Sequence, residues 1–416
     1  MSSIYANSYF TIMAADGADA DSGLQGVGVP RAFPQPPILD LEPHCHLRPG
    51  PETERARYFT PWHDRGWTFQ ERILSTRSLT FFRGSIIWQC KESIWAEGAA
   101  AEPDRILPNR TWQTEDKYPA PFAFDRYFVL RLELDSKPEF LRYQNILMQY
   151  CRRKLTYQSD GLRAFSGVLD VLSQTYDGGF RHGLPVMFFD MAMLWYHGSG
   201  AKPRVVEPGS EKLLFPSWSW AAWEGPIVYS LTYYMCRAPS IDLYPVVKWC
   251  HARGEGAKSD WGRLFHGNVM RAFVRLRPVK KEVELEPTTG LQETFPPSFV
   301  EYRITGVKDS KTVGWLRLPS TSHDNWKALM GDDTLCECIV ISECKAYGDW
   351  WKRGRRDSCF PEWNQIAETK DLGEYEYYNV LWIEWREGIA YRKMIGRVWK
   401  GGWHQLDVET KDIVLG

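Results

Sequence analysis

The chain has 416 residues, of which 44% are hydrophobic and 25% charged, proportions typical of a folded globular protein. Its 51 basic and 52 acidic side chains give a net charge of -1, which excludes a global attraction to nucleic acid or anionic membranes. Nine scattered cysteines without an apolar leader predict a cytoplasmic protein, and no run reaches the roughly 18 apolar residues of a membrane span.

The N-terminal region predicts the end of a helix and a short buried strand over residues 4–15. Residues 30–51 contain seven prolines, a density that blocks helices and sheet ladders, so we expect an extended loop. His44, Cys45 and His46 lie in this loop. A zinc site needs four ligands, and no second pair follows at suitable spacing, so we expect no metal.

An aromatic motif, Arg65-Gly66-Trp67-Thr68-Phe69-Gln70-Glu71-Arg72, opens a short helix. Thr68 and Glu71 stand three residues apart before Ile73, a spacing typical of a capping box in which each side chain binds the other residue's amide. Gly66 frees the backbone, and Arg65 can stack on Trp67 or Phe69. The next segments, 78–82 and 85–90, flank Arg83-Gly84 and predict a hairpin.

Two interpretations of Glu71 stay open. As a cap, its carboxylate is committed to backbone amides. As a site residue, it is a carboxylate in a ring of aromatic side chains, a setting that tunes acids and bases. In that second interpretation Glu71 and Arg65 are catalytic, and Trp67 and Gln70 bind the ligand.

The middle of the chain predicts three packed helices over 139–198, after an irregular connection from 97 to 137. Apolar side chains between Phe140 and Tyr150 recur at helical spacing. Asp160 caps a second helix that ends near Leu172, and a third, buried helix runs from Val186 to Tyr196.

The C-terminal half predicts a mostly antiparallel β domain, a sandwich or open barrel. Residues 272–277 and 336–341 alternate as strands, and residues 378–386 and 389–399 flank Glu387-Gly388 as a hairpin. Cys336 and Cys338 have strand spacing, so they predict small buried side chains rather than metal ligands.

Trp218 and Trp220, in Pro216-Ser217-Trp218-Ser219-Trp220, project from one face if that segment is extended. Two interpretations stay open. The pair lines an apolar ligand pocket at the junction of the helical and β parts, or it forms the seam that docks the β domain.

The motif at 65–72 resembles the last of three motifs of the fungal heterokaryon-incompatibility (HET) domain. Segments 4–15 and 21–24, Asp160-Gly161-Leu162, 216–221 and the closing 378–385 resemble that family in the same order. The two earlier motifs of the family are absent, so Met1 stands where the final third of the domain begins. Either the gene model is truncated, or this lineage lost the front of the domain.

The resemblance implies an α+β protein with three parts. Residues 1–98 are the C-terminal part of a HET domain, a TIR-like α/β remnant; residues 99–214 are a linker and helical region; residues 215–416 are the β-rich domain. It also implies an effector or regulator of non-self recognition and programmed cell death in a filamentous fungus, with a protein partner at the face left uncovered by the missing strands.

A second hypothesis comes from a different class. Enzymatic TIR proteins cleave NAD with a glutamate, so the resemblance makes NAD a conceivable substrate of Glu71, with no bound cofactor. Alternatively, the tryptophan-rich chain serves small-molecule metabolism as an enzyme or binding protein, with its pocket at Trp218 and Trp220. Neither hypothesis involves nucleic acid or a membrane.

Overall fold

The fold is known from a computed structural model, which describes most of the chain outside several long segments. The described residues are 2–19, 21–31, 39–42, 45–47, 60–82, 85–90, 94–97, 138–198, 200–229, 241–251, 264–278, 299–319, 333–347, 366 and 373–416. The predicted α+β class is confirmed, with the antiparallel sheet in the C-terminal half.

Helices of the described residues are short except for α4. They are α1 (Ser2–Asn7), α2 (Pro61–Asp64), α3 (Thr68–Leu74), α4 (Phe140–Tyr150), α5 (Ser166–Leu172), α6 (Phe189–Ala192) and α7 (Lys400–Trp403). Single 3-10 turns lie at Gln158–Gly161, Arg163–Phe165, Val186–Phe188 and Trp220–Ala222.

Strands fall into several small pairs and two larger sheets. Before residue 240 they are β1 (Thr11–Ala14), β2 (Leu24–Gln25), β3 (Gly28–Val29), β4 (Leu39–Glu42), β5 (Cys45–Leu47), β6 (Ser78–Phe82), β7 (Ser85–Gln89), β8 (Ile94–Ala96), β9 (Phe180–Arg181), β10 (Leu184–Pro185), β11 (Tyr196–His197), β12 (Lys202–Pro203), β13 (Trp223–Glu224) and β14 (Ile227–Val228). The later ones are β15 (Ile241–Pro245), β16 (Cys250–His251), β17 (Phe265–Pro278), β18 (Phe299–Thr305), β19 (Thr312–Pro319), β20 (Thr334–Tyr347), β21 (Glu374–Arg386), β22 (Ile389–Trp399) and β23 (Glu409–Leu415).

The chain divides into two compact units that do not follow sequence order. The first comprises residues 1–137 and 153–175, and the second comprises 138–152 and 176–416. Helix α4 therefore interrupts the first unit. The division predicted from sequence, at residues 98 and 214, stays a prediction.

The first unit is built on a four-stranded sheet in the order β1-β6-β7-β8. Strand β1 runs parallel to β6, and the other pairs are antiparallel. Strands β6 and β7 confirm the hairpin predicted around Arg83-Gly84, because Phe82 pairs with Ser85. Helices α1, α3 and α5 contact one another in this unit. Only Met13 is fully buried in β1, so the buried strand predicted there is half exposed.

Two sequence predictions in and near this unit fail. Part of the proline-rich segment forms the antiparallel pair β4–β5, because its prolines lie outside those two strands. The helix predicted from Asp160 to Leu172 is instead two 3-10 turns followed by α5. Asp160 caps no helix: it lies inside the first 3-10 turn and accepts a hydrogen bond from the Trp67 indole at 3.3 Å.

The second unit begins with α4, which confirms the helix predicted from Phe140 to Tyr150. The third predicted helix is wrong beyond α6. Tyr196 and His197 form β11 and pair with β14, so a sheet contact with a distant segment ends the helical stretch.

Six long strands of the second unit pair in a closed ring. Strand β17 pairs with β20, which continues through β21, β22, β19 and β18 back to β17. All six of these pairings are antiparallel. The sequence left a sandwich and an open barrel as alternatives. The ring closes because Arg275 and Leu276 of β17 pair with β18 on one side and with β20 on the other.

The main core of this unit contains alternate residues of the ring. Ala272, Val274 and Leu276 of β17 lie in one cluster with Cys336 and Cys338 of β20. Burial raises the pKa of Cys336 to about 12 and holds that of Cys338 well above its usual value. These thiols are protonated core side chains, as their strand spacing predicts.

The closing hairpin is confirmed with its turn. Strands β21 and β22 pair from Arg386–Ile389 onward, and Glu387 and Gly388 between them have φ values of 49° and 79°. Two successive left-handed residues match the twist of the flanking strands. No helix of the described segments is long and apolar enough to cross a membrane.

Candidate functional site

Helix α3 begins without the predicted capping box. Its first flanking residue is Trp67, in a helical conformation and without a side-chain cap. The Thr68 hydroxyl lies 2.5 Å from the Trp62 carbonyl oxygen and 2.7 Å from that of Arg65. Helix α2 ends just upstream, so the turn between the helices brings these carbonyls within reach of the hydroxyl. The capping prediction for Thr68 and Glu71 is wrong for this reason.

Arg153 is the buried cation of this region, with 4% of its surface exposed. Its Nη1 donates to the Thr68 hydroxyl at 3.0 Å and to the Arg65 carbonyl at 3.1 Å. The guanidinium also lies over the Phe69 ring, 5.0 Å from the centroid. The stacking that the sequence predicted for Arg65 is therefore provided by a residue 88 positions later.

Arg65 itself contributes through its backbone. Its side chain is exposed, and its carbonyl accepts from both Thr68 and Arg153. It also forms a parallel bridge with Lys154. As a candidate catalytic residue, Arg65 presents its guanidinium outward from the buried contacts of the motif.

Glu71 lies half-buried between two aromatic side chains. Its Oε2 accepts from the Trp62 indole at 3.4 Å, and its carboxylate is hydrogen-bonded to the Tyr5 hydroxyl. Burial raises the pKa of Tyr5, and the Glu71 charge and hydrogen bond raise it further. The phenol therefore stays protonated and donates. The carboxylate is thus held by side chains of α1 and α2, and the ring of aromatics proposed from sequence consists of Tyr5 and Trp62.

His63 is a neutral imidazole at the same place. Its Nδ1 lies 3.5 Å from Arg153 Nη2. Burial lowers the pKa of His63 to about 2, with the positive charges of Arg153 and Arg72 acting in the same direction. A neutral ring beside an Arg donor accepts at Nδ1.

Gln70 and Trp67 connect the motif to residues 158–167. Gln70 is fully buried, accepts from the Gly167 amide at 3.0 Å, and donates to the Arg163 carbonyl at 3.3 Å. The Trp67 indole donates to Asp160, and Asp160 pairs with Arg163 at 3.6 Å. Both candidate ligand-binding side chains are thus engaged with the segment that precedes and begins α5.

Gly66 lies close to the same segment. Its amide donates to the Lys154 carbonyl at 2.8 Å, and a Cβ on Gly66 would lie 2.4 Å from Leu155 Cδ2. The Lys154 amide donates in turn to the Asp64 carbonyl at 2.6 Å. Hydrogen bonds of Asp64 and Gly66 with the Lys154 backbone therefore fix this part of the chain, and Leu155 packs beside Gly66.

Trp218 and Trp220, in the second unit, are both completely buried but lie in different surroundings. The Trp218 ring packs between Phe189 and Phe265, with centroid distances of 5.7 and 4.8 Å. The Trp220 ring packs on Tyr150, and its indole donates to the Tyr143 hydroxyl at 3.0 Å. Trp220 begins a 3-10 turn, so the segment is not extended, and the two rings do not share the face expected from their spacing.

Ser217, beside this pair, binds the end of β23. The carbonyl of Gly416 accepts from the Ser217 amide and from its hydroxyl. The Arg392 amide donates to the same hydroxyl at 2.7 Å. The Pro216–Trp220 segment therefore joins β22 and β23 to the helical part of its own unit.

Within the described ranges, no three His, Cys, Asp or Glu side chains are grouped as metal ligands. His44 lies outside those ranges, and the side chains of Cys45 and His46 are also outside the described structure.

Sequence reasoning identified α3 but missed four of its partners: Tyr5, Trp62, His63 and Arg153. Arg153 is the middle residue of Arg152-Arg153-Lys154, a basic run that suits the C-terminus of the preceding helix. Arg152 and Lys154 are exposed, whereas Arg153 is buried. No sequence pattern indicated that the middle residue would reach back to the motif.

Comparison with known proteins gives one match. Residues 1–71 match the family model described as "Heterokaryon incompatibility protein (HET)". No curated protein and no solved structure matches the chain. The resemblance stated from sequence is confirmed over these residues, and the match ends at Glu71, inside α3. The contacts made by residues 153–175 lie outside it.

Proposed function

We propose that this protein acts in heterokaryon-incompatibility-type non-self recognition, as a cytoplasmic effector or regulator of programmed cell death in a filamentous fungus. The family match over residues 1–71 carries the proposal. In the motif that ends this segment, Glu71 and Gln70 are held by hydrogen bonds. The TIR-like character of the first unit is part of the proposal.

The protein partner in this proposal binds at the exposed side of β1. Ile12 pairs in register with Leu79, which pairs with Trp88, so the three side chains form one row. Ile12 is 51% exposed, and the neighbouring Phe10 is 40% exposed. Parallel strand pairs are normally covered on both faces, and contiguous exposed apolar side chains mark interaction surfaces. We propose an intact HET-domain protein as the partner.

Inducible expression in a filamentous fungus tests this role. Hyphal viability is measured with this chain alone, with an intact HET-domain protein alone, and with both. We expect co-expression to change the extent of cell death, and Ile12→Glu to abolish the change. Val307→Glu is the matched control, because Val307 is 41% exposed in the other unit. Equal viability with and without this chain, at matched protein levels, would contradict the proposal.

A second candidate function is hydrolysis of NAD. The observation that favours it is the Glu71 carboxylate held between an indole and a phenol, a setting in which a carboxylate can act on a bound substrate. The purified protein and Glu71→Gln are incubated with NAD and followed by mass spectrometry. Release of nicotinamide that the substitution abolishes supports the enzyme. Stable NAD with the folded wild-type protein rules it out.

Trp218 and Trp220 are completely buried, which favours the interpretation in which they dock the β domain over the one in which they line a ligand pocket. Each indole is packed against protein rings, and the Trp220 N–H is satisfied by Tyr143. A ligand wall needs an exposed ring face. The small-molecule alternative is therefore best tested at Glu71, by adding a fungal metabolite extract to the same mass-spectrometric comparison.

A further inference from the structure

We infer that Arg153, which lies outside the family match, is the positioning residue of the Glu71 site. It acts through the hydroxyl of Thr68 and through Trp62. The inference rests on the proposed function only for the importance of Glu71; the positioning itself is a structural statement that can be tested separately.

Arg153 first orients the hydroxyl of Thr68. Nη1 of Arg153 donates to the Thr68 hydroxyl at 3.0 Å, so this hydroxyl oxygen is fixed as an acceptor on that side. Its own proton is then directed at the carbonyls of Trp62 and Arg65, at 2.5 and 2.7 Å. A buried cation thereby determines the direction in which the threonine donates.

Trp62 connects Thr68 to Glu71. The Trp62 backbone is held by Thr68, and its indole N–H donates to Glu71 Oε2 at 3.4 Å. Tyr5 donates to the same carboxylate. A displacement of α2 would therefore move one of the two donors that orient Glu71. Thr60 holds the start of α2 independently, because its hydroxyl accepts from the His63 amide at 3.1 Å.

A third set of contacts fixes Arg153 itself. The guanidinium lies over Phe69, and Phe69 stacks on Phe165 with a centroid distance of 6.0 Å. His63 Nδ1 lies 3.5 Å from Nη2. A planar guanidinium has five N–H donors in a fixed fork and a flat face that stacks on a ring, whereas an ammonium has three donors on a single atom. Arginine therefore suits this position better than lysine.

The NMR signal of the Trp62 indole reports whether Arg153 positions the donor to Glu71. Protein labelled with 15N-tryptophan gives one indole signal per side chain, and Trp62→Phe assigns the signal of interest. Glu71→Gln shows how far this signal moves when the carboxylate is lost. We expect Arg153→Met to move the same signal, and Arg153→Lys to move it less, while the signals of Trp218 and Trp220 stay in place.

Arg152→Met is the matched control, because Arg152 is the adjacent residue and is exposed. We expect it to leave the Trp62 signal unchanged. Thr68→Val should reproduce the displacement, and Thr68→Ser, which keeps the hydroxyl, should restore the wild-type position. This rescue separates positioning from a general loss of packing.

The inference is overturned if the Trp62 signal keeps its wild-type position in folded Arg153→Lys and Thr68→Val proteins. If Arg153→Met does not fold, these two variants decide the question. A cell-death assay without any effect of the wild-type chain would remove the proposed function and leave the positioning result standing, so the two failures are distinguishable.

Discussion

Single residues of the motif carry roles that differ from those their spacing suggested. Thr68 and Glu71 have the spacing of a capping box, but neither caps α3. A short polar side chain binds whichever backbone group the neighbouring turn brings close. Here that turn is formed by α2 and fixed by residues 153–155. Local spacing could not show this, because the deciding contacts come from a segment about 85 residues away.

The contribution of the Thr68 hydroxyl to stability can be measured directly. Thr68→Val keeps the shape but removes a buried hydroxyl that links Arg153 to two carbonyls. We expect the free energy of unfolding of the first unit to fall by about 1–3 kcal/mol, because buried donors and acceptors lose their partner. Urea unfolding measures the change. Thr68→Ser should lose less than half as much, and equal losses in the two variants would contradict the role of the hydroxyl.

His63 makes the first unit sensitive to acid. Its pKa is lowered in the folded state to about 2, so between pH 6.5 and that value the unfolded chain binds a proton that the folded chain does not. The stability contributed is complete above the unfolded pKa and is lost as the pH falls. The expected slope is about 1.4 kcal/mol per pH unit from this group.

Hydrogen exchange of the α3 amides at pH 7 and pH 5 measures this dependence. Exchange rates are corrected for the intrinsic effect of pH before the protection is compared. We expect the loss of protection between the two pH values to be smaller in His63→Gln than in the wild type. The same loss in both proteins would show that His63 is not the responsible group.

Elements whose contacts are local were predictable, and those decided by distant contacts were not. The hairpins β6–β7 and β21–β22 follow from alternation around a two-residue turn. Helix α4 follows from its apolar spacing. The helix predicted at 186–196 ended early because β11 pairs with β14, a contact about 30 residues away that leaves no mark on the local periodicity.

The turn of the closing hairpin offers a stabilising change. Glu387 has a φ of 49°, a left-handed conformation that costs a non-glycine residue about 1–2 kcal/mol. Asparagine tolerates this conformation and is preferred before glycine in such turns. Glu387→Asn should therefore raise the free energy of unfolding of the second unit by about 1 kcal/mol. Urea unfolding checks it, with Gly388→Ala as the opposite control, expected to destabilise.

At the scale of the whole molecule, the sequence predicted the α+β class and the C-terminal antiparallel sheet. It did not predict that the six-stranded ring would close, because closure depends on β17 pairing with strands on both of its sides. Nor did it predict that the first compact unit would be discontinuous. Residues 153–175 join this unit through contacts of Arg153, Leu155 and Asp160 with the motif. In the sequence alone, these three residues have the properties of ordinary surface or core residues.

The matched segment and residues 153–175 form one cooperative structure in this interpretation. Hydrogen exchange with mass spectrometry, on the wild type and on Gln70→Ala, tests this cooperativity. Gln70 is chosen because its buried side chain binds backbone groups of Arg163 and Gly167. We predict faster exchange in both 64–74 and 158–172, with β21 and β22 unchanged. Faster exchange confined to one of the two segments would contradict it.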